Sequence, residues 1–188
     1  MLFPHPEVYH PAEDTRLLLN AALGIVRSSD RVVEIGTGSG EIAHSLAHVA
    51  DCVIATDINP HAVSLASRRG VVVIRTDLFS GICTRFDLVI FNPPYLPTEP
   101  GDRIDDWLEY ALDGGIDGRA TIERFLDAVP DYLSLNGKVL LLVSSLSGVG
   151  EVAERFRANG MISMIVAEEQ LEGETLFVFL GMRDLCSV

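Results

Sequence analysis

Arg31-Val32-Val33-Glu34-Ile35-Gly36-Thr37-Gly38-Ser39-Gly40 reads as strand, then turn, in direct succession. Arg31 to Ile35 is a short, β-branched, apolar run, the pattern of a buried strand. Gly36 to Gly40 is a glycine turn. Glu41 to Val49 follows with Ile42, Leu46 and Val49 at helical spacing. The same alternation continues outward. Val53 to Thr56 is a second strand ending at Asp57, and Pro60 suits the first turn of a helix running to about Arg69. Val71 to Arg75 is a third strand, followed by Asp77, and Phe86 to Phe91 a fourth, followed by Asn92. Residues 96–117 are irregular and polar. Residues 118–133 are helical, with Ile122, Phe125, Leu126 and Val129 on one face. Lys138 to Val143 is a fifth strand and Gly148 to Ala158 a helix. Met161 to Ala167 and Thr175 to Leu180 are two strands joined at Glu172-Gly173-Glu174, an antiparallel hairpin. The pattern predicts an α/β fold: a seven-stranded, mostly parallel sheet with helices on both faces, in one domain spanning 1–188.

The chain of 188 residues can bury a core without staples. Mean hydropathy is +0.28, yet no apolar run is long enough to span a membrane. Acidic residues outnumber Lys and Arg by 27 to 14, for a net charge of −13. That balance argues against a protein whose main task is gripping a phosphate backbone. It leaves open a nucleic-acid substrate delivered by a partner. Cys52, Cys83 and Cys186 form no metal pattern and read as reduced thiols of a cytoplasmic protein. No signal peptide is evident at the start.

The glycine turn has the spacing G-x-G-x-G, which fails the dinucleotide fingerprint at its third glycine, and no P-loop pattern is present. Glu34, two residues before Gly36, would repel a pyrophosphate and suits a ligand with a positive charge, such as the ammonium of a methionine moiety. Asp57 closes the second strand, where a carboxylate accepts the hydroxyls of a ribose. Asp77 follows the third strand and is suited to an adenine amino group. Ligands of open α/β sheets bind at strand carboxyl ends. Glu34, Asp57, Asp77 and Asn92 lie at or near four such ends. Turn capping explains any one of them more easily than all four.

Asn92-Pro93-Pro94-Tyr95 follows the fourth strand. Two prolines fix φ and donate no backbone hydrogen bonds, so the carbonyls of Asn92 and Pro93 stand as stiff acceptors. The Asn92 side-chain oxygen adds another. Such a fork matches the two protons of a planar NH₂ group, and Tyr95 offers a face to stack on it. Accepting those protons raises electron density on the nitrogen and orients its lone pair. With a sulfonium methyl donor, S-adenosylmethionine, no strong base is needed. Asn92, Pro93 and Tyr95 are therefore the candidate catalytic residues, and Asn92, Pro93, Pro94 and Tyr95 the candidate substrate contacts. Cofactor contacts are expected at Glu34, Gly36, Gly38, Gly40, Asp57, Ile58, Asp77 and Asn92.

Together with these motifs, Tyr9-His10-Pro11-Ala12-Glu13-Asp14-Thr15, Gly114-Gly115-Ile116-Asp117-Gly118 and Glu174-Thr175-Leu176 make the chain resemble the HemK/PrmC-type protein-glutamine N5-methyltransferases, in their short archaeal and eukaryotic branch. The resemblance runs from about Val8 to Leu180. It implies a Rossmann-like class I methyltransferase fold, and methylation of the glutamine in the Gly-Gly-Gln motif of class-1 translation release factors. It implies further cofactor contacts at Thr15 and Leu78, and a small zinc-binding activator subunit as partner. The bacterial branch carries an N-terminal helical domain. Only seven residues precede Val8 here, which favours the short branch.

Asn-Pro-Pro-Tyr alone does not separate glutamine from the amino groups of adenine N6 or guanine N2. Leu96 to Asp131 holds ten acids and three arginines, a mouth expected to repel phosphates and welcome a basic protein loop. No target-reading domain of the kind base-flipping enzymes use fits the chain. Direct nucleic-acid binding is therefore not expected. A third reading, a cofactor-binding subunit without activity, leaves the intact Asn92 to Tyr95 loop unexplained. His44 and His48 share a helix face but lack a third ligand, so no metal site is expected. Trp107 is expected to pack its loop down or to contact a partner. Strands 1 and 3 are read as candidates for an apolar edge that receives the activator.

Overall fold

The structure is a computed structural model and describes residues 5–98 and 106–186. Helix α1 (Glu13–Ile25) precedes β1 (Arg31–Ile35), α2 (Glu41–Leu46), β2 (Cys52–Asp57), α3 (Pro60–Arg68) and β3 (Val72–Arg75). After β4 (Phe86–Phe91) come the short α4 (Trp107–Tyr110), α5 (Ala120–Tyr132), β5 (Leu133–Ser144), α6 (Val149–Ala158), β6 (Met161–Gln170) and β7 (Thr175–Arg183). The strands form one seven-stranded sheet in the order β3-β2-β1-β4-β5-β7-β6. β3 through β5 run parallel, and β7 pairs antiparallel with both β5 and β6. This is the predicted sheet with its C-terminal hairpin. The hairpin is folded back so that its second strand, β7, lies inside.

Burial on both faces explains the near-continuous apolar runs. Val139, Leu141 and Val143 of β5 face Ile122, Phe125 and Val129 of α5 and Phe156 of α6. Leu140 and Leu142 face the opposite way, into a core with Leu18 and Ala22 of α1 and Ile42 and Leu46 of α2. Ala66 of α3 packs beside Ala43 and Ala55.

Several boundaries move. α2 stops at Leu46 rather than Val49, so His48 lies beyond the helix, exposed, while His44 is half-buried. β5 begins at Leu133, before the expected Lys138, because Leu133 already pairs with Phe86 ahead of a register shift. The two final strands extend to Gln170 and Arg183. α1 and α4 are elements the strand–helix pattern did not include. One edge assignment is corrected. β3 is an edge, with Val72 63% and Ile74 41% exposed, but β1 lies between β2 and β4 and has no free edge. No helix among the described residues is long and apolar enough to cross a membrane.

Gly181 of β7 lets α6 settle on the sheet: a Cβ there would lie 2.4 Å from the ring of Phe156. Phe156 is fully buried, so it has little room to retreat. Gly181→Ala is expected to destabilise the protein by about 1–3 kcal/mol, as overpacking does. A urea midpoint equal to wild type would refute this account of the contact.

Candidate active site

β1 has β2 on one side and β4 on the other, and here the order of strands reverses. Loops after these two strands diverge and leave a crevice, the place where open α/β sheets take ligands. The glycine loop lies on one side of the crevice and Asn92 to Tyr95 on the other. One cavity is lined by Thr15, Glu34, Gly36, Gly38, Asp57, Ile58, Asp77, Leu78 and the four residues Asn92, Pro93, Pro94 and Tyr95. Of the expected contacts, Gly40 alone is outside it. Its φ is +79°, and a Cβ would sit 2.8 Å from the Ala66 Cβ, so this glycine serves the approach of α2 to α3.

Glu34 is turned into its own loop. Its Oε2 accepts from Thr37 Oγ1 at 2.5 Å and from the Ala43 amide at 2.9 Å, and the residue is 3% exposed. Burial pushes its carboxyl up to about 8, against the pull of those two hydrogen bonds. The sequence reading aimed this carboxylate at a cationic ligand. In the structure its observed bonds brace the glycine loop against α2.

Asp57 is shared differently. Its Oδ2 accepts from the Gly38 amide at 2.8 Å and its Oδ1 from the Asn59 amide at 2.9 Å. Burial raises its carboxyl, and the amide hydrogen bonds oppose that rise. Asp77 is more open and forms an ion pair with Arg124 of α5 at 2.6 Å. Leu78 has a positive φ of 47°, a conformation that strains a non-glycine residue and turns its backbone at the cavity wall.

The N-terminal segment closes one side of the cavity. Val8 is buried against Ala62 and Leu65, and the Glu7 carbonyl accepts from Asn59 Nδ2 at 2.7 Å. Tyr9 then runs over the glycine loop. Its hydroxyl donates to Asp14 Oδ2 at 2.9 Å, and burial together with that carboxylate holds the phenol well above its usual range. Asp14 is the site residue that motif reading did not single out. It is 3% exposed and also accepts from Asn92 Nδ2 at 3.0 Å, across 78 residues of sequence. An acidic residue inside a quoted motif was the only signal, and its partner was invisible without the fold.

Asn92 Oδ1 is buried and finds no donor among the described residues. Pro93 is buried, and Pro94 and Tyr95 are half-buried. Burial raises the Tyr95 hydroxyl, with the Asp14 and Glu174 carboxylates adding to it. The loop is held from behind. Leu96 and Thr98 donate to the Leu112 and Gly115 carbonyls, and Gly114 donates back to Leu96. Gly118, at φ +71°, lies so close that a Cβ would be 2.4 Å from the Tyr95 carbonyl oxygen. Gly114, whose Cβ would lie 2.7 Å from the Gly118 Cα, and Gly115, at φ +80°, complete the tight turn that brings Gly118 there. Trp107 is half-buried at the cavity wall, its ring 5.9 Å from Tyr110. Of the acids expected at the mouth, Glu99, Asp102 and Asp105 lie outside the described residues, as does Arg103. Asp117 and Glu123 pair with Arg119. Among the described residues no group of His, Cys, Asp and Glu is arranged to hold a metal ion.

A sheet of this order with its crevice at β1 and β4 defines the fold of a methyltransferase. Residues 10–102 match the family model described as the Methyltransferase small domain. A Methanocaldococcus jannaschii chain named as a protein N5-glutamine methyltransferase is 40% identical, over 95% of this chain and 93% of its own. The human methyltransferase HEMK2 is 32% identical, over 92% and 88%. Among solved structures, the E. cuniculi Mtq2–Trm112 complex, described as responsible for methylation of the termination factor eRF1, aligns at a TM-score of 0.80 with 31% identity, covering 94% of this chain and 99% of that one. The chain belongs to the protein-glutamine N5-methyltransferases, enzymes that methylate an amide nitrogen.

The Glu34 brace has a measurable consequence. Its carboxyl titrates near 4.5 when free and near 8 in the fold. Between those values the native state keeps a proton that the unfolded chain has released. Stability therefore falls as pH rises through about 4.5 to 8, and this contribution levels off above. Glu34→Gln is expected to flatten that fall, read by urea denaturation at several pH values. Parallel pH profiles for both proteins would refute the assignment.

Proposed function

We propose that the chain transfers a methyl group from S-adenosylmethionine to the side-chain amide nitrogen of the glutamine in the Gly-Gly-Gln motif of a class-1 release factor. The observation that carries this reading is the buried Oδ1 of Asn92, a residue of the crevice wall, which has no donor among the described residues. A buried acceptor without a partner is costly, on the order of 1–3 kcal/mol, and an NH₂ proton relieves that cost. The Geobacter sulfurreducens release factor glutamine methyltransferase, 31% identical, supports the choice of substrate, as does the eRF1-directed E. cuniculi complex.

The residues fit the cofactor. Asp57 is held by backbone amides, Gly38 on Oδ2 and Asn59 on Oδ1, and as an acceptor-only group lining the cavity it suits a ribose hydroxyl. Gly36 and Gly38 allow close approach to the backbone, and Asp77 beside Leu78 suits an adenine edge. S-adenosylmethionine supplies a methyl group already activated on a sulfonium, so the protein needs no strong base. Asn92 Oδ1 and the Pro93 carbonyl accept the two amide protons and thereby fix the direction of the nitrogen lone pair. Their acceptance supports the positive charge that develops on nitrogen. Tyr95 packs on the planar amide. Excess acidity, at −13, suits a basic protein loop better than a nucleic acid.

Methyl transfer to a recombinant release factor tests this, with the motif glutamine changed to alanine as control. Label on wild-type factor only is expected, and equal labelling of both would sink the reading. Asn92→Ala should cut turnover by a factor on the order of 100 or more, while calorimetry finds cofactor binding largely kept. Lost binding with turnover kept would overturn the role of Asn92.

The same reading includes a small zinc-binding activator docked along edge strand β3. Exposed Val72 and Ile74 and the unpaired strand edge support it, together with the two-protein assembly of the E. cuniculi relative. Val72→Lys is expected to abolish co-purification of the activator without loss of fold. Unchanged co-purification would move the interface elsewhere.

A further inference from the structure

An asparagine amide is ambiguous by itself: rotated by half a turn, it offers a donor where it had offered an acceptor. The function proposed for Asn92 requires the oxygen to face the substrate. Something must therefore fix the rotation, and among the described residues Asp14 is in position to do so. Asp14, in the first turn of α1, receives Asn92 Nδ2 on Oδ2 at 3.0 Å. The same oxygen takes the Tyr9 hydroxyl at 2.9 Å, while Oδ1 takes the Thr15 amide at 2.5 Å and the Thr15 hydroxyl at 3.2 Å. Four donors fill the four acceptor positions of one carboxylate. It is 3% exposed, and its position at the N-terminus of a 13-residue helix favours a negative group. With Tyr9 and Thr15 donating to both its oxygens, the carboxyl cannot rotate and faces Asn92 as an acceptor. It can only accept, so Asn92 must turn its NH₂ inward and its oxygen away.

We infer that Asp14 is a positioning residue that locks the Asn92 amide with Oδ1 as the acceptor, and that this lock makes the site select a planar NH₂ over an oxygen. The inference rests on the role of Asn92 proposed above. With the rotation fixed, the Asn92 side chain and the Pro93 carbonyl present acceptors only. A glutamine binds by its NH₂ protons. A glutamate side chain meets acceptors with no proton to offer them, and is refused. Without the lock, the Asn92 amide also turns its NH₂ outward and holds the glutamine by its carbonyl, with the nitrogen misdirected.

Three measurements on the full chain test this. Asp14→Asn keeps the shape but lets the facing group donate as well as accept. It is expected to lower kcat about 100-fold, the scale of a misaligned reacting group. The Kd of the cofactor should stay within about 3-fold, since the substitution leaves the volume unchanged. Glu13→Gln, an exposed neighbour bonded to Arg16, removes the same charge without touching the lock and should leave kcat unchanged. The double variant Asp14→Asn/Asn92→Asp exchanges donor and acceptor between the two positions. It is expected to recover at least about 10-fold over either single variant, the non-additivity of a direct pair. A role in folding alone would give no such rescue. Side-chain amide NMR of the enzyme without substrate reads the lock independently. The Asn92 NH₂ pair, identified by its loss in Asn92→Ala, should exchange slowly in wild type and faster in Asp14→Asn. Wild-type kcat in Asp14→Asn, no rescue in the double variant, or an unchanged Asn92 resonance would each overturn the inference. If wild type fails to methylate the glutamine, the proposed substrate falls, while the NMR result still decides the lock.

Discussion

Parallel strands must be joined by crossovers, and where successive crossovers leave a sheet in opposite directions the strand ends between them cannot both be covered. β1 and β4 are that pair here. Everything chemical in the molecule is arranged around the gap. α1, α2 and α3 sit on one face and α5 and α6 on the other, so the loops after β1 and β4 bend apart. Rigid, doubly buried strands end at the gap. Side chains such as Asp57 and Asn92 are therefore fixed by backbone that has no freedom of its own.

Into that gap the fold places carboxylates, and most of their capacity goes to holding protein. Glu34 ties the glycine loop to α2, Asp57 ties the same loop to the start of α3, and Asp14 ties α1 to the loop after β4. Glu34 works locally, within nine residues, Asp57 reaches back 19 residues to Gly38, and Asp14 spans 78 residues to Asn92. Desolvating an acid costs free energy, and the raised carboxyls of Glu34 and Asp57 register that cost. The return is a set of loops whose amides and carbonyls are already aimed before any ligand arrives, which is where electrostatic catalysis gains most.

Sequence alone carried the sheet, because two-sided burial writes itself as β-branched runs and glycine turns as spacing. Val139 to Val143 and Gly36 to Gly40 are legible for that reason. It also carried the residues that line the cavity, since strand ends are local features. It did not carry partnership. Glu34 lines the cavity, but its hydrogen bonds to Thr37 and Ala43 depend on how the helix returns and are not written in the local pattern. Asp14 carries no local mark of its role, because the bond that matters joins it to a residue 78 positions away. Gly40 looked like a ligand contact and is a packing contact, a distinction that depends on Ala66 of a neighbouring helix. The assignment of β1 to an edge failed similarly, since strand order is a property of the whole sheet.

The staple behind the Asn92 to Tyr95 loop separates two kinds of change. Leu96 and Thr98 are bonded to Leu112, Gly114 and Gly115, and Gly118 is seated on Tyr95. The chain between Thr98 and Leu112 thus leaves and returns through a fixed doorway. Lengthening a loop whose ends are already joined costs little, about 0.6 kcal/mol per doubling. A change in the length of that chain therefore leaves the ends, and the Asn92 to Tyr95 loop they hold, in place. In this architecture the length of the excursion and the geometry of the reacting centre are set independently.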